Sequence, residues 1–281
     1  MELGKIQNEN LLKDKKLLVI VPCRERPKVL KNFIHSFART TSTDAQVIFC
    51  LDEDDPELKN YMYHVKPYPH IINKRMTITK IFNLVATELC PNFEFYMPCN
   101  DDFLFHTKIW DVYLRDTIGK RGGWGIAYGN DKIQGQNMCT TSVISGNIVR
   151  AIGWLQMPDL THLFGDNVWM TIGQDIERLY YCSDVEIEHN HFINKKTELD
   201  SVYKRTNSPQ MYQKDQEAFK KWNKYHFNEA DKIIKAMHKE RWHEKSISVC
   251  MIVGDFEPAA RLKACLDSIK EYVDEINIQF N

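Results

Sequence analysis

The order of apolar and polar positions lays out strands and helices in turn. Residues 16–22 form a short apolar run closed by Pro22, which predicts a buried strand. Pro27 stands where a first helical turn would begin. Val29, Leu30, Phe33, Ile34 and Phe37 follow it at helical spacing, one apolar face wide. Residues 46–51 predict a second buried strand, running into Asp52-Glu53-Asp54-Asp55-Pro56. A strand–helix–strand order of this kind implies a parallel pair joined by a right-handed crossover. Residues 73–89 predict a helix with Ile78, Ile81, Phe82 and Val85 on one face, and residues 93–97 a further strand.

The texture then changes. Residues 122–125 and 129–137 are loop-rich, and residues 140–148 predict a strand and turn, with Gly146-Asn147 at the turn. Residues 184–191 alternate like a half-exposed strand. Ser208-Pro209 predicts a helix cap followed by a first-turn proline. From there to about residue 245 the chain is highly charged, as one or two amphipathic helices would be. The tail repeats the opening: strand at 246–253, helix at 259–269 with Leu262, Leu266 and Ile269 on one face, strand at 274–280. Some 35 residues cannot bury a core of their own. The expected organisation is therefore a main domain over 1–207, a helical extension over 208–245 and, at 246–281, the start of a second domain, with a docked tail as the alternative.

The chain has 281 residues, 43% hydrophobic and 27% charged, which is ordinary globular composition and enough for one large domain or two smaller ones. A formal net charge of −1 removes the global basic field that nucleic acid or anionic lipid would call for. The eight cysteines contain no C-x-x-C pair and no zinc spacing, and several lie inside apolar runs, as reduced buried thiols do. The N-terminus has no apolar leader, and no stretch approaches the roughly 20 apolar residues that span a bilayer. The expectation is a cytosolic protein.

Chemistry concentrates at three polar clusters, Cys23–Arg26, Asp52–Asp55 and Asn100–Asp102, each directly after a predicted strand. Ligands of parallel sheets bind outside the carboxyl ends of the strands. Adjacent carboxylates in apolar sequence are costly unless cations or donors meet them. A hard ion such as Mg²⁺ or Mn²⁺ favours such oxygens and keeps open positions for substrate phosphates. The competing reading of residues 100–102 is an acidic turn.

With their order and spacing, residues 16–205 resemble nucleotide-sugar glycosyltransferases of the GT-A fold, most closely the large family 2 group. The tail is similar to the opening of a second such domain at Ile247–Val253, although Gly254-Asp255-Phe256-Glu257 departs from the usual pattern. The resemblance implies a Rossmann-like α/β fold, with a mixed, mostly parallel sheet flanked by helices. It also implies transfer of a sugar from a UDP-type donor to an acceptor hydroxyl with inversion, assisted by Mn²⁺ or Mg²⁺. Pro22, Arg24 and Arg26 would border the nucleotide, Asp52 would bond the uracil or ribose, and Arg75 would lie near the diphosphate. Asn100-Asp101-Asp102 stands at the family's acidic metal motif, with an amide where the first acid is usual. Asp102 is then the metal ligand, and Asn100 and Asp101 are donor contacts. Asp166 would be the catalytic base, although Gly165 replaces the first of two acids usual there and a helix N-cap is the competing role. His189 and His191, two apart on one strand face, would add a metal ligand. Trp124, Trp154 and Trp169 are acceptor-stacking candidates, with core packing as their alternative.

Two other classes stay open. A nucleotidyltransferase would usually show a glycine-rich phosphate loop, and residues 23–27 contain no glycine. A non-catalytic glycan-binding module would account for Asn100 and Gly165. No basic–aromatic pattern indicates nucleic acid, although modified DNA as the acceptor stays open. Donor sugar, acceptor and linkage are not legible.

Overall fold

The apolar run near the N-terminus becomes the middle of a sheet. In the computed structural model, strand β1 (Leu17–Cys23) is buried along almost its whole length, between β2 (Ala45–Asp52) and β4 (Phe95–Pro98). A parallel strand covered on both faces has no solvent side, so it reads as a continuous apolar run rather than an alternating one. The structure describes residues 4–190, 208–244, 248–253, 263, 266, 267 and 275–280. They fall into two compact units, Met1–Ala230 and Asp231–Asn281.

The first unit is a mixed α/β layer structure. Its eight-stranded sheet has the order β3-β2-β1-β4-β7-β6-β8-β5, with β3 at His70–Asn73, β5 at Phe103–Phe105, β6 at Ile126–Asn130, β7 at Ser142–Ser145 and β8 at Leu179–His189. Strands β3, β2, β1 and β4 are mutually parallel, as is the β6–β8 pair. Strand β7 runs antiparallel to β4 and β6, and β5 antiparallel to β8. This is the fold class expected from the sequence. Because β1, β2 and β4 are parallel, the polar clusters beyond their ends emerge along one edge of the sheet.

Helix α1 (Pro27–Thr40) begins at its proline and buries Leu30, Phe33 and Phe37. Phe33 and Phe37 meet Phe105 edge-on, and Phe105 stacks on Trp110 at 4.7 Å. That aromatic core ties α1 to β5 and to α4 (Trp110–Gly119). Helix α2 (Leu58–Val65) comes after β2, and α5 (Gly146–Ile152) and α6 (Gly165–Asp175) flank the second half of the sheet. Helix α7 (Pro209–Trp222) opens as expected, with the Ser208 hydroxyl accepting the Met211 N–H at 3.3 Å. A further helix covers Phe227–Glu244. Among the described residues no helix is long and apolar enough to cross a membrane.

The structure corrects two element boundaries. Asn73 ends β3, paired with Asp52, so the helix expected from residue 73 starts only at α3 (Ile78–Asn83). Thr77 caps α3 with its hydroxyl, which accepts the Lys80 N–H. Residues Leu84–Leu89 continue it as a π-helical stretch, a feature associated with functional sites. The turn expected at Gly146-Asn147 is instead the start of α5. Glycine is needed there for close approach, since a Cβ on Gly146 would lie 2.1 Å from the Phe93 carbonyl oxygen. Gly146→Ala is therefore expected to cost about 1–3 kcal/mol. A urea unfolding curve reads this as a lower midpoint at unchanged slope.

In the second unit, β9 (Ser248–Val253) and β10 (Glu275–Phe280) pair in parallel, Ser248 opposite Glu275. Most of the helix expected between them lies outside the described residues, as does His191.

Candidate functional site

A cavity of about 750 Å³ opens at the C-terminal edge of the parallel strands. Its wall includes Pro22, Arg24, Arg26, Asp52, Arg75, Asn100, Asp101, Asp102, Asp166 and His189. The fold therefore brings together every candidate site residue that it describes, from separate stretches of chain.

The loop after β1 is held in place from behind. Glu25 takes a left-handed backbone, φ 59°, which costs a non-glycine residue about 1–2 kcal/mol. Its N–H donates to Asp55 Oδ2 at 3.0 Å, and the Arg26 N–H donates to the Tyr61 hydroxyl at 2.6 Å. Asp55 thus shapes the loop and sits outside the cavity wall. Arg24 Nη1 donates to Asp52 Oδ2 at 2.9 Å and to Asp54 Oδ1 at 2.7 Å. Burial works against the Arg24 charge, but these two bonds outweigh it and raise its pKa. Burial also raises Asp52 above the usual carboxylate range, against the pull of Arg24, whereas exposed Asp54 is lowered by the same guanidinium.

After β4, Asn100 is exposed while Asp101 and Asp102 are buried. Arg26 Nη1 lies 3.7 Å from Asp101 Oδ1 and 3.6 Å from Asp102 Oδ2. His189 Nε2, from the end of β8, approaches Asp102 Oδ1 at 3.4 Å, long for a hydrogen bond. That oxygen is buried and accepts no hydrogen bond. Burial opposes protonation of His189, but Asp102, then Asp166 and Asp131, outweigh it and raise the imidazole pKa. Cys23 and Cys99, beneath this cluster, are pushed well up, first by burial and then by the neighbouring carboxylates, so they are inert thiols.

The donor chemistry of this cluster fits a hard divalent ion. Asp102 offers a buried oxygen without a hydrogen-bond partner, and His189 offers an imidazole directed at it. Among the described residues no group of three or more His, Cys, Asp or Glu side chains is placed to hold a metal. Two protein ligands would leave most positions open for phosphate oxygens and water, as Mg²⁺-type sites do.

Asp166 lies in the first turn of α6 and faces the cavity, where it is exposed. The surrounding protein still pushes its carboxyl up to about 7 by desolvation, with Asp131 adding to the rise and His189 opposing it. The N-cap position belongs to Phe164, which makes no side-chain cap bond, so Asp166 is not the cap. A Cβ on Gly165 would press on the amide end of the Gln156 side chain, which would have to shift to admit it. Asn83 fixes the backbone at Gln156. Its Oδ1 accepts the Leu155 and Gln156 N–H groups, and its Nδ2 donates to the Gln156 carbonyl, all at 2.8 Å.

Sequence reasoning missed several wall residues, among them Lys80, Thr140, His162 and Met211. Lys80 had a signal, since it comes just after Thr77 at the start of a helix that faces the cluster. Thr140 is held by its hydroxyl bond to Asp131 Oδ2 at 2.8 Å, a contact between loop residues that no periodicity reveals. The three candidate tryptophans are buried. Trp154 and Trp169 pack on each other at 5.4 Å, and Trp169 reaches the cavity wall at 1% exposure, so packing is their role.

No protein-family model matches the chain, and no curated protein matches it. Solved structures do. TarS from S. aureus, residues 1–349 in complex with UDP, has a TM-score of 0.47 at 14% identity, covering 61% of this chain and 59% of that one. The chain thus spans less than two thirds of that relative. A second TarS structure gives 0.48 at 15% identity, over 72% and 42% of the two chains. The mannosyltransferase PcManGT from Pyrobaculum calidifontis, in complex with GDP-Man and Mn²⁺, gives 0.44 at 10% identity, over 93% and 82%. At such scores the functional reading rests on this chain's own residues.

Proposed function

We propose that this chain is a glycosyltransferase that takes a sugar from a nucleotide-sugar donor, with UDP the preferred nucleotide, and transfers it with inversion to an acceptor hydroxyl. One observation carries the reading. A single cavity at the carboxyl ends of parallel strands holds a buried acid pair, several cations and, facing them, a carboxylate whose pKa stands near neutrality.

Charge and position assign the roles. Asp52 meets the base or ribose, and Arg24 holds that carboxylate in place. Arg26, Arg75 and Lys80 face the diphosphate as cations. Asp102 and His189 would hold the divalent ion, which, when bound, supplies positive charge to the departing diphosphate. Asp166 takes the proton of the acceptor hydroxyl as its oxygen bonds to the anomeric carbon. The bond from that carbon to the diphosphate oxygen breaks, and the electron pair leaves with the nucleoside diphosphate. A carboxylate with a pKa near 7 is well matched to this proton transfer. We also read residues 246–281 as the opening of a second domain of the same kind, supported by the parallel pairing of β9 and β10.

Calorimetric titration with UDP, and with GDP as control, with and without Mn²⁺, tests the reading. Manganese-dependent binding of UDP is the expected result. Binding of neither nucleotide under any metal condition would reject the donor site and favour a non-catalytic glycan-binding module.

A further inference from the structure

Helix α7 does more than extend the domain. Its Asp215 is fully buried, and both carboxylate oxygens are used on a loop some fifty residues away. Asp215 Oδ1 accepts the Thr161 N–H at 2.9 Å, and Oδ2 accepts the N–H groups of His162 at 2.7 Å and Leu163 at 2.8 Å. Irregular backbone has no ladder to satisfy its donors, and a buried carboxylate needs donors in return, so the two needs cancel in one place. A second observation is independent of these bonds. Phe164 sits at φ 67°, and its ring is packed against two α7 rings, Phe219 at 5.5 Å and Tyr212 at 5.3 Å. With Asn83 holding residues 155–156, the segment up to α6 is fixed at both ends.

The fixed segment is cavity wall. His162, Leu163 and Phe164 line it, and Met211 joins them from α7 itself. The segment ends two residues before Asp166, the proposed base, so it borders the side from which an acceptor hydroxyl must come. Burial lowers the His162 pKa, an effect reinforced by Arg26 and opposed by Asp215 and Asp102, which favours a neutral imidazole able to donate and accept.

We propose that α7 is the acceptor-side wall of the site, that Asp215 is its positioning residue, and that His162 is a further acceptor-contacting residue. The wall fits a pyranose-type sugar acceptor, with ring hydroxyls on His162 and a C–H face on Leu163 and Met211. This rests on the glycosyltransferase reading and deepens it by naming the acceptor class.

The test is saturation-transfer NMR of a panel of methyl α- and β-pyranosides with the full chain in the presence of UDP and Mg²⁺. It compares wild type, Asp215→Asn and His162→Gln, with UDP affinity measured in parallel by calorimetry. Wild type is expected to bind at least one pyranoside. Each variant should weaken that binding about tenfold, the scale of a lost buried hydrogen bond, while UDP affinity is retained. A role confined to folding stability would lower the melting temperature and leave the pyranoside affinity of the folded protein unchanged. Should Asp215→Asn fail to fold, His162→Gln decides, because the main-chain N–H that Asp215 accepts is still present. UDP binding with no pyranoside bound, or with equal pyranoside affinity in the folded variants, overturns the wall and leaves the donor site standing. Absence of UDP binding in wild type with Mg²⁺ or Mn²⁺ present overturns the glycosyltransferase reading itself, and this inference with it.

Discussion

Replacing Asp166 with Asn is expected to lower sugar transfer by about 10²–10⁴-fold, the usual contribution of a positioned general base. UDP affinity should change little. The amide keeps the shape of the side chain but has no oxygen able to take the acceptor proton. The pH dependence gives a second readout. Only ionised Asp166 is a base, and its pKa is pushed up to about 7. Wild-type transfer should therefore fall as pH drops through about 7, and the residual activity of Asp166→Asn should lack that limb. The stability linkage has the opposite sense. A carboxyl whose folded pKa lies above its unfolded value contributes stability below the unfolded pKa and loses it as pH rises through the folded value. Asp166→Asn removes that loss, so its melting temperature relative to wild type should rise between about pH 4 and pH 8. A pH-independent difference in melting temperature, with transfer retained, would remove Asp166 from the mechanism.

Asp102→Asn is expected to abolish the manganese dependence of UDP binding and to reduce transfer by about 100-fold or more, as removal of a metal-ligating carboxylate does. Asparagine is the informative substitution. Asp102 is 5% exposed and lies against Arg26 and His189, and truncation to Ala would remove a buried charge that both contact and leave a void, whereas Asn keeps the shape of the side chain. His189 adds a pH signature. Its pKa is raised by Asp102, and metal binding requires the neutral imidazole, so apparent Mn²⁺ affinity should rise with pH in wild type. The measurement is calorimetry of UDP with Mn²⁺ across pH, alongside circular dichroism to show that the variant is folded. Unchanged manganese-dependent binding in folded Asp102→Asn would reject the metal assignment.

Much of the strand-end side of this cavity was legible because it obeys local rules. A buried parallel strand must be a continuous apolar run, and polar residues must end it, so residues 23–26, 52–55 and 100–102 announced themselves. The cap at Ser208 and the helix starting at Pro27 were legible for the same reason, since each is settled by neighbours within four residues. The start of α3 was not, because the backbone pairing of Asn73 with Asp52 overrode a helical pattern that local spacing alone would extend. The same limit applies to the cavity wall at residues 161–164. Nothing near Asp215 distinguishes it from the other charges of a polar helix. Its burial at 0% exposure and its three loop donors exist only once residues 161–163 and 215 are packed together. Gly165 read as a missing acid, and only the fold sets the Gln156 side chain against it. Order along the chain thus settled the strand ends and the polar residues that follow them, because hydrophobic burial and capping act over a few residues. Packing in three dimensions settled which distant groups share one cavity and how far its field lifts the Asp166 carboxyl, because desolvation and charge act through space.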